Sequence, residues 1–264
     1  MAGKEPFETV VAAHGGTVLR VCRAVLGLAD ADDAWSETFV ACGRRHRQAP
    51  ALVRGRGREE FPMTTDDLAG ELARAFPGRA GELIRLHERL AAAALRDGVL
   101  DVAYRTIDSP VGPLLLAATE LGLIRVAYAS EDHDAVLQVL ADRISPRILS
   151  APVRLEAATR ELGEYFAGRR RRFDLPLDLR LSAGFRRTVL THLPEIGYGH
   201  TASYAAVAQL AGSPRAIRAV GTACATNPLP VVVPCHRVVR SDGSMGDYLG
   251  GPDAKRTLLS LEAA

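Results

Sequence analysis

Cys235 and His236 stand side by side at the end of a β-branched run, in VVVPCHRVV from Val231 to Val239. A free thiol is only slightly ionised at neutral pH, so a cysteine that works as a nucleophile needs a base beside it. The adjacent imidazole can accept the proton, directly or through water. Pro234 ends or bends the valine run, which places the pair at a break in the chain, where a side chain can face a pocket instead of the core. The chemistry on offer is group transfer to sulfur. A bare Cys–His pair is more often a buried structural cysteine beside an incidental histidine, so the surroundings must decide. No oxyanion motif accompanies the pair, which disfavours a thiol hydrolase.

The chain that must position this pair has 264 residues, 47% hydrophobic and 24% charged. That is enough for one large globular domain or two small ones. Aromatic residues make up only 5%, so the core must be built from Ala, Val and Leu. No uncharged apolar run reaches the roughly 18 residues of a membrane helix. The opening MAGKEPFETV has no apolar signal segment, and a cytoplasmic location is expected. Cys22, Cys42, Cys224 and Cys235 form no CxxC pair. Free thiols are therefore expected, with neither a metal site nor a cofactor. The net charge of +2 is unevenly spread: Gly184 to Arg240 holds six arginines (186, 187, 215, 218, 237, 240) against Glu195 alone, a local +5, while the rest sums to −3. Such a stretch is either the footprint of a nucleic-acid site or a solvated charged face.

Periodicity divides the chain into five parts and predicts an α+β fold. Residues 1–43 carry apolar residues at helical spacing and form a helical extension. Residues 44–62 hold six arginines with Gly and Pro and no periodicity, and read as a linker. Residues 63–99 are helical again, with Thr65 as a cap and Gly98 as a stop. Residues 100–181 form a small α/β unit: VAYRTI, PLLLAAT and LIRVAYA are strands separated by SPVG and ELG turns, followed by the amphipathic helices EDHDAVLQVLADRI and RLEAATRELGEYFAG. The run Arg169–Arg172 reads as a solvated basic turn. Residues 182–264 are mainly helical and winged-helix-like. FRRTVLTHL is one helix, and TASYAAVAQLAG is a second with Ser203 as N-cap and Gly212 past its end. A third is expected from Ser213 as cap and Pro214 at the first helical position. The last two form a helix-turn-helix pattern.

From about residue 101 to 262, and most strongly from Ser182, the chain resembles the O6-alkylguanine-DNA alkyltransferases, also called methylated-DNA–protein-cysteine methyltransferases. The resemblance rests on GHTASYAAVAQLAGSPRAIRAVGTACATNPLPVVVPCHRVV and on GSMGDYLGGPDAKRTLLSLE, with PCHRVV preceded by NP eight residues earlier. It implies repair of alkylated guanine in double-stranded DNA by a monomer, with O4-alkylthymine a further substrate. Cys235 is then the alkyl acceptor, His236 activates it through a bridging water, Glu262 orients His236, and Asn227 stabilises the turn between the helix-turn-helix and the active-site segment. Tyr204 and Arg218 match the base-flipping residues, with Ser203 and Arg215 beside them on the DNA side. Tyr248, Gly246 and the backbone near Val238 match the pocket for the flipped guanine.

The physics of the reaction agrees with these roles. An O6-alkyl group inside a duplex is out of reach of a buried thiolate, so the base must leave the stack. Arg218 lies among Ala216, Ala219, Gly221, Ala223 and Ala225, small residues that let a helix approach DNA closely, and the family places this helix in the minor groove. Singly, each residue has a plainer reading: Tyr204 a core aromatic, Arg218 a surface charge, Glu262 a frayed terminal charge. Leu249 stands where the family often has a small or hydroxyl residue, and Pro252 where it often has Leu; the first bears on the shape of the guanine pocket. A second reading of the whole is a catalytically silent DNA-binding or transcription-associated protein on the same scaffold, which the retention of Cys235, His236 and Glu262 disfavours.

At the other end, FETVVAAHGGTVLRVCRAVLGLADADDAWSETFVA resembles the opening of the second conserved region of RNA polymerase sigma factors. It implies a contact with RNA polymerase through residues 1–43. The match stops near Cys42, and both the promoter-melting helix and the sigma-type C-terminal helix-turn-helix are missing. A truncated relic, a frame-shifted fusion ahead of Met63 and an ordinary helical extension all stay open. The family's adaptive-response members carry a zinc module with four cysteines; only Cys22 and Cys42 lie upstream here, so that module is not expected.

Overall fold

The computed structural model describes residues 80–263. The helical extension at 1–43 with its sigma-like segment, the linker at 44–62 and the start of the 63–99 segment lie outside the described residues. Contacts separate a unit up to Ala93 from a unit beginning at Ala94. Of the first, only part of helix α1 (Ala80–Arg96) is described. Everything below belongs to the second.

Three strands follow where the short β-like runs between turn signals predict them: β1 (Val102–Ile107), β2 (Leu114–Thr119) and β3 (Gly122–Tyr128). They form two successive antiparallel pairs, and a short β4 (Ile148–Ser150) adds in parallel to β1, giving the order β3-β2-β1-β4. β4 was not foreseen; at three residues it is too short to show a period. The pleat sends Leu115, Ala117, Ile124 and Ala127 to one face, against Val136 and Leu140 of helix α2 (His133–Arg143). Leu114, Leu116, Val126 and Tyr128 join the other core cluster, with helix α3 (Glu156–Phe166) and the C-terminal helices. The central strand β2 is therefore buried throughout.

Gly122 shows why the ELG turn needs glycine. Its φ is +133°, and a Cβ there would lie 2.1 Å from the Pro176 carbonyl oxygen. That close approach lets Leu123 exchange hydrogen bonds with the crossing segment, through Pro176 O and Asp178 N at 2.8 Å each.

The C-terminal part holds α4 (Gly184–His192), β5 (Ala202–Ser203), α5 (Tyr204–Leu210), α6 (Ile217–Ala225), a 3₁₀ turn at Cys235–Arg237, β6 (Val238–Val239) and α7 (Gly251–Ala263). β5 and β6 pair in parallel, tying the entry of the helix-turn-helix to the segment just after the Cys–His pair. Ser203 caps α5 by accepting from Ala206 N at 3.1 Å. The next helix starts later than its sequence implies. Ser213–Ala216 closes a turn, Ala216 N to Ser213 O at 2.9 Å, and α6 begins at Ile217 without a side-chain cap. A proline φ suits the second position of a turn as well as the first of a helix, and here the turn prevails. Ala223, counted with the small residues beside Arg218, points into the core with Val220 and Cys224. Among the described residues no helix is long and apolar enough to cross a membrane.

Candidate active site

The valine run is not a strand. Val231 sits in a turn at φ +71°, unusual for a β-branched residue. Asn227, fully buried, holds this turn. Its Nδ2 donates to Val233 O at 2.9 Å and to Cys235 Sγ at 3.1 Å, and its Oδ1 accepts from Leu229 N at 2.9 Å. One side chain thus closes the loop after α6 and delivers a donor to the thiol. The sheet braces the same loop, since Val126 N donates to Pro228 O at 2.9 Å.

Cys235 is 2% exposed. Burial pushes its thiol up to about 11, against the Asn227 hydrogen bond and the nearby positive charge of Lys255, which both favour the thiolate. Lys255, fully buried on α7, donates through Nζ to Val238 O at 2.7 Å. Burial lowers its pKa, opposed by the thiols of Cys235 and Cys224. The carbonyl of Val238, in the backbone matched to the guanine pocket, is thus engaged by Lys255. Sequence reasoning passed over this lysine; it stands among the polar residues of an amphipathic helix and carries no local signal.

His236 is completely buried. Its Nε2 lies 2.9 Å from Glu262 Oε1. A carboxylate there fixes Nε2 as the protonated nitrogen and leaves Nδ1 as the acceptor. Nδ1 has no hydrogen-bond partner among the described residues. Burial lowers the imidazole pKa, against the raising effect of Glu262, so the ring is neutral at neutral pH.

Glu262, whose place two residues before the end invited a reading as a frayed charge, is 5% exposed and the hub of the site. Besides His236 it accepts from Tyr165 Oη at 2.6 Å, from Arg237 Nε and Nη2 at 2.9 Å each, and from Gly199 N at 3.3 Å. Burial pushes its carboxyl up, but the bonds from His236, Arg237 and Tyr165 prevail and hold it at about 2. Arg237 corrects the charge count. It is buried, bound to Glu262 and to Ile196 O at 2.6 Å, and is no part of the exposed basic stretch. The arginine run before Phe173 also differs from a freely solvated turn: Arg170 pairs with Glu164 at 2.8 Å and Glu161 at 3.3 Å, and Arg171 lies over the Tyr198 ring.

Tyr248 stands beside this core, its ring centroid 6.4 Å from that of His236. Its hydroxyl meets that of Tyr128 at 2.9 Å, a partner the sequence did not reveal. Gly246 has a φ of +61°, which favours glycine, and a Cβ there would lie 3.0 Å from the hydroxyl of Tyr204 at the start of α5. Leu249 lines a separate cleft of about 410 Å³ with Val136, Val139 and Pro228.

The structure therefore joins Asn227 to the Cys235 thiol, Glu262 to the neighbouring His236 and Lys255 to Val238, with Tyr248 edge-on to His236 and Tyr204 against Gly246. Arg218 and Arg215 are exposed outside that cluster, with Arg186, Arg187 and Arg240 also exposed. Ser203 spends its hydroxyl on the cap of α5.

Comparison with known proteins agrees with this arrangement. Residues 102–179 match the ribonuclease-like domain of 6-O-methylguanine DNA methyltransferase, and residues 184–264 match its DNA binding domain. Neither match reaches the sigma-like segment. The methylated-DNA–protein-cysteine methyltransferase of Mycolicibacterium paratuberculosis is 41% identical over 161 residues, covering 61% of this chain and 92% of that protein. The bifunctional transcriptional activator/DNA repair enzyme Ada of Escherichia coli is 37% identical over 250 residues, 92% of this chain and 66% of that one. The crystal structure of Mycobacterium tuberculosis OGT in complex with DNA superimposes with a TM-score of 0.54 at 39% identity, over 61% of this chain and 92% of that chain. With an α+β fold, a Cys–His–Glu cluster at its centre and both domains matched, the chain belongs to the 6-O-methylguanine DNA methyltransferase family.

Proposed function

We propose that this chain repairs double-stranded DNA directly, moving the alkyl group of an O6-alkylguanine onto its own Cys235 once per molecule. The observation that carries the reading is the buried Cys235 thiol, with an Asn227 donor at 3.1 Å and the His236–Glu262 pair beside it. At rest thiol and imidazole are both neutral, which protects the sulfur from adventitious oxidation. With substrate bound, the thiol proton passes to His236 Nδ1 through a water, and Glu262 stabilises the resulting imidazolium. Sγ attacks the alkyl carbon, the carbon–O6 bond breaks, and its electron pair goes to the guanine. The guanine anion takes up a proton as the His236 imidazolium releases its own through water, so the balance is thiol plus alkylguanine to thioether plus guanine. A thioether is a poor leaving group, and the protein does not turn over. O4-alkylthymine presents the same alkyl–oxygen bond.

Tyr204 crowds the phosphate as the base rotates out, and Arg218 fills the vacancy in the stack. Ser203 and Arg215 support that surface, while Tyr248, Gly246 and Val238 bound the guanine pocket. The working protein divides into residues 100–181, which brace the active-site loop, and residues 182–264, which bind DNA and carry the thiol. It acts in the cytoplasm, where Cys224 and Cys235 stay reduced.

Intact-mass measurement after incubation with duplex O6-methylguanine DNA tests this reading. One methyl group per chain, mapped to Cys235, is expected. Methylation at Cys224, or many repairs per chain, would overturn it.

A further inference from the structure

Tyr128 is the last residue of β3, yet it is built into the neighbourhood of the thiol. It is 3% exposed, and its hydroxyl meets that of Tyr248 at 2.9 Å with the rings edge to face at 5.9 Å. Its ring tip also lies against the backbone of Gly250. A Cβ added there would come within 2.6 Å of Cζ and 2.7 Å of both Cε atoms. The end of the sheet is thus pressed onto residues 248–250 with no room for another carbon. Tyr248 in turn stands edge-on to His236. Both phenols lie within electrostatic reach of Cys235: burial raises the pKa of each, and the thiol raises it further.

We propose that Tyr128 is a specificity-determining residue, which limits the group transferred to Cys235 to small alkyls by locking Tyr248 and filling the space against Gly250. A methyl group is the smallest alkyl, whereas a benzyl group carries a ring, which on this proposal meets the paired tyrosines. Moving Tyr248 alone would leave the buried Tyr128 hydroxyl without its partner, and moving Tyr128 would disturb the strand end on which it sits. The lock is therefore mutual, and its resistance grows with the size of the alkyl group.

This inference rests on alkyl transfer to Cys235, and the experiment separates the two. The full chain is mixed in single turnover with duplexes differing only in O6-methylguanine or O6-benzylguanine, and thioether formation is followed by intact mass. Wild type should react with the benzyl duplex about tenfold or more slowly than with the methyl duplex. Tyr128→Leu should raise the benzyl rate about tenfold and leave the methyl rate within about threefold, since the discrimination is of pocket size. Tyr128→Phe, which keeps the ring and removes only the hydroxyl, should raise the benzyl-to-methyl ratio by a smaller factor. Equal methyl and benzyl rates in wild type overturn the proposal. So does an unchanged ratio in a Tyr128→Leu protein that still transfers methyl. If Tyr128→Leu does not fold, an unchanged ratio in Tyr128→Phe overturns it. No methyl transfer by wild type at all would sink the alkyl-transfer reading itself.

Discussion

Nε2 of His236 and Oε1 of Glu262 are 2.9 Å apart in an interior where neither residue reaches solvent appreciably. The carboxylate that orients the imidazole is itself neutralised by Arg237. An ionised group is tolerated at this depth because each oxygen finds donors. Glu262 therefore fixes the tautomer of His236 and also keeps Arg237 from being a lone buried charge.

Glu262→Gln separates these duties from bulk, since the side chain is nearly isosteric. Its amide nitrogen would meet donors, leaving Arg237 uncompensated, at a cost of about 3–5 kcal/mol. That lowers the melting temperature by on the order of 10 °C for a chain of this size. It also favours the wrong imidazole tautomer, so methyl transfer should slow by roughly a hundredfold or more. Thermal melting and single-turnover kinetics check both effects. An unchanged melting temperature would show that Arg237 does not depend on this carboxylate.

The same carboxyl gives an acid limit. Its folded pKa is about 2, below the ordinary 4.5, so in the folded state it binds its proton less readily than in the unfolded chain. A depressed pKa contributes stability that is complete above about 4.5 and lost as the pH falls towards about 2. Denaturant titrations through that window should show wild-type stability falling more steeply than that of Glu262→Gln. Parallel curves would assign the acid sensitivity to other carboxylates.

The contrast between Arg237 and Glu262 marks how far the sequence could be read. Cys235 and His236 were legible as an adjacent nucleophile and base, and Asn227 through the family resemblance carried by the NP eight residues before PCHRVV. Glu262 was legible only through the family resemblance, and composition alone favoured a frayed end. Arg237 was misjudged because a charge count along the chain cannot see burial. Tyr165 and Tyr128 were invisible as site residues. Their partners lie 97 and 120 positions away, and each looks like an ordinary apolar member of its helix or strand. The first three strands were read from short apolar runs bounded by turn residues, but the turn at Val231 was not, because a β-branched run argues for extended backbone and only Asn227 makes the alternative hold.

Arg218 is the second residue of α6, exposed beside Ile217, which is 45% exposed. An arginine next to an apolar wedge suits insertion where a base has left the stack. Arg218→Ala should slow methyl transfer from duplex DNA by roughly tenfold or more, since a few kcal/mol of unstacking is no longer offset. Its reaction with the free O6-methylguanine base should stay within about twofold of wild type, because a free base needs no flipping. Equal losses on both substrates would place Arg218 in folding or in the chemistry itself.

Asn227 links stability to reactivity through one amide. Its two faces satisfy Leu229 N, Val233 O and the thiol, and these bonds hold Val231 at a positive φ that the residue would not adopt alone. Asn227→Ala removes three bonds and leaves the buried Leu229 N–H unpaired, while Val233 O still accepts from Cys235 N at 2.8 Å, so it should cost about 1–3 kcal/mol. The turn would relax towards ordinary valine backbone and carry Cys235 away from His236. Asn227→Asp keeps the shape and the bond to Leu229 N. It replaces the donor with an anion that faces a carbonyl and the sulfur. A negative charge beside the thiol raises its pKa above the present value of about 11. The rate of methyl transfer should therefore fall in both variants, but for different reasons. In Asn227→Asp the loss should ease as the pH is raised, because more thiolate forms, whereas in Asn227→Ala it should persist at every pH at which the protein is folded. The pH–rate profiles of the two variants beside wild type decide the matter. Identical profiles would mean that Asn227 acts only as a structural clamp and that its bond to Sγ does not tune the thiol.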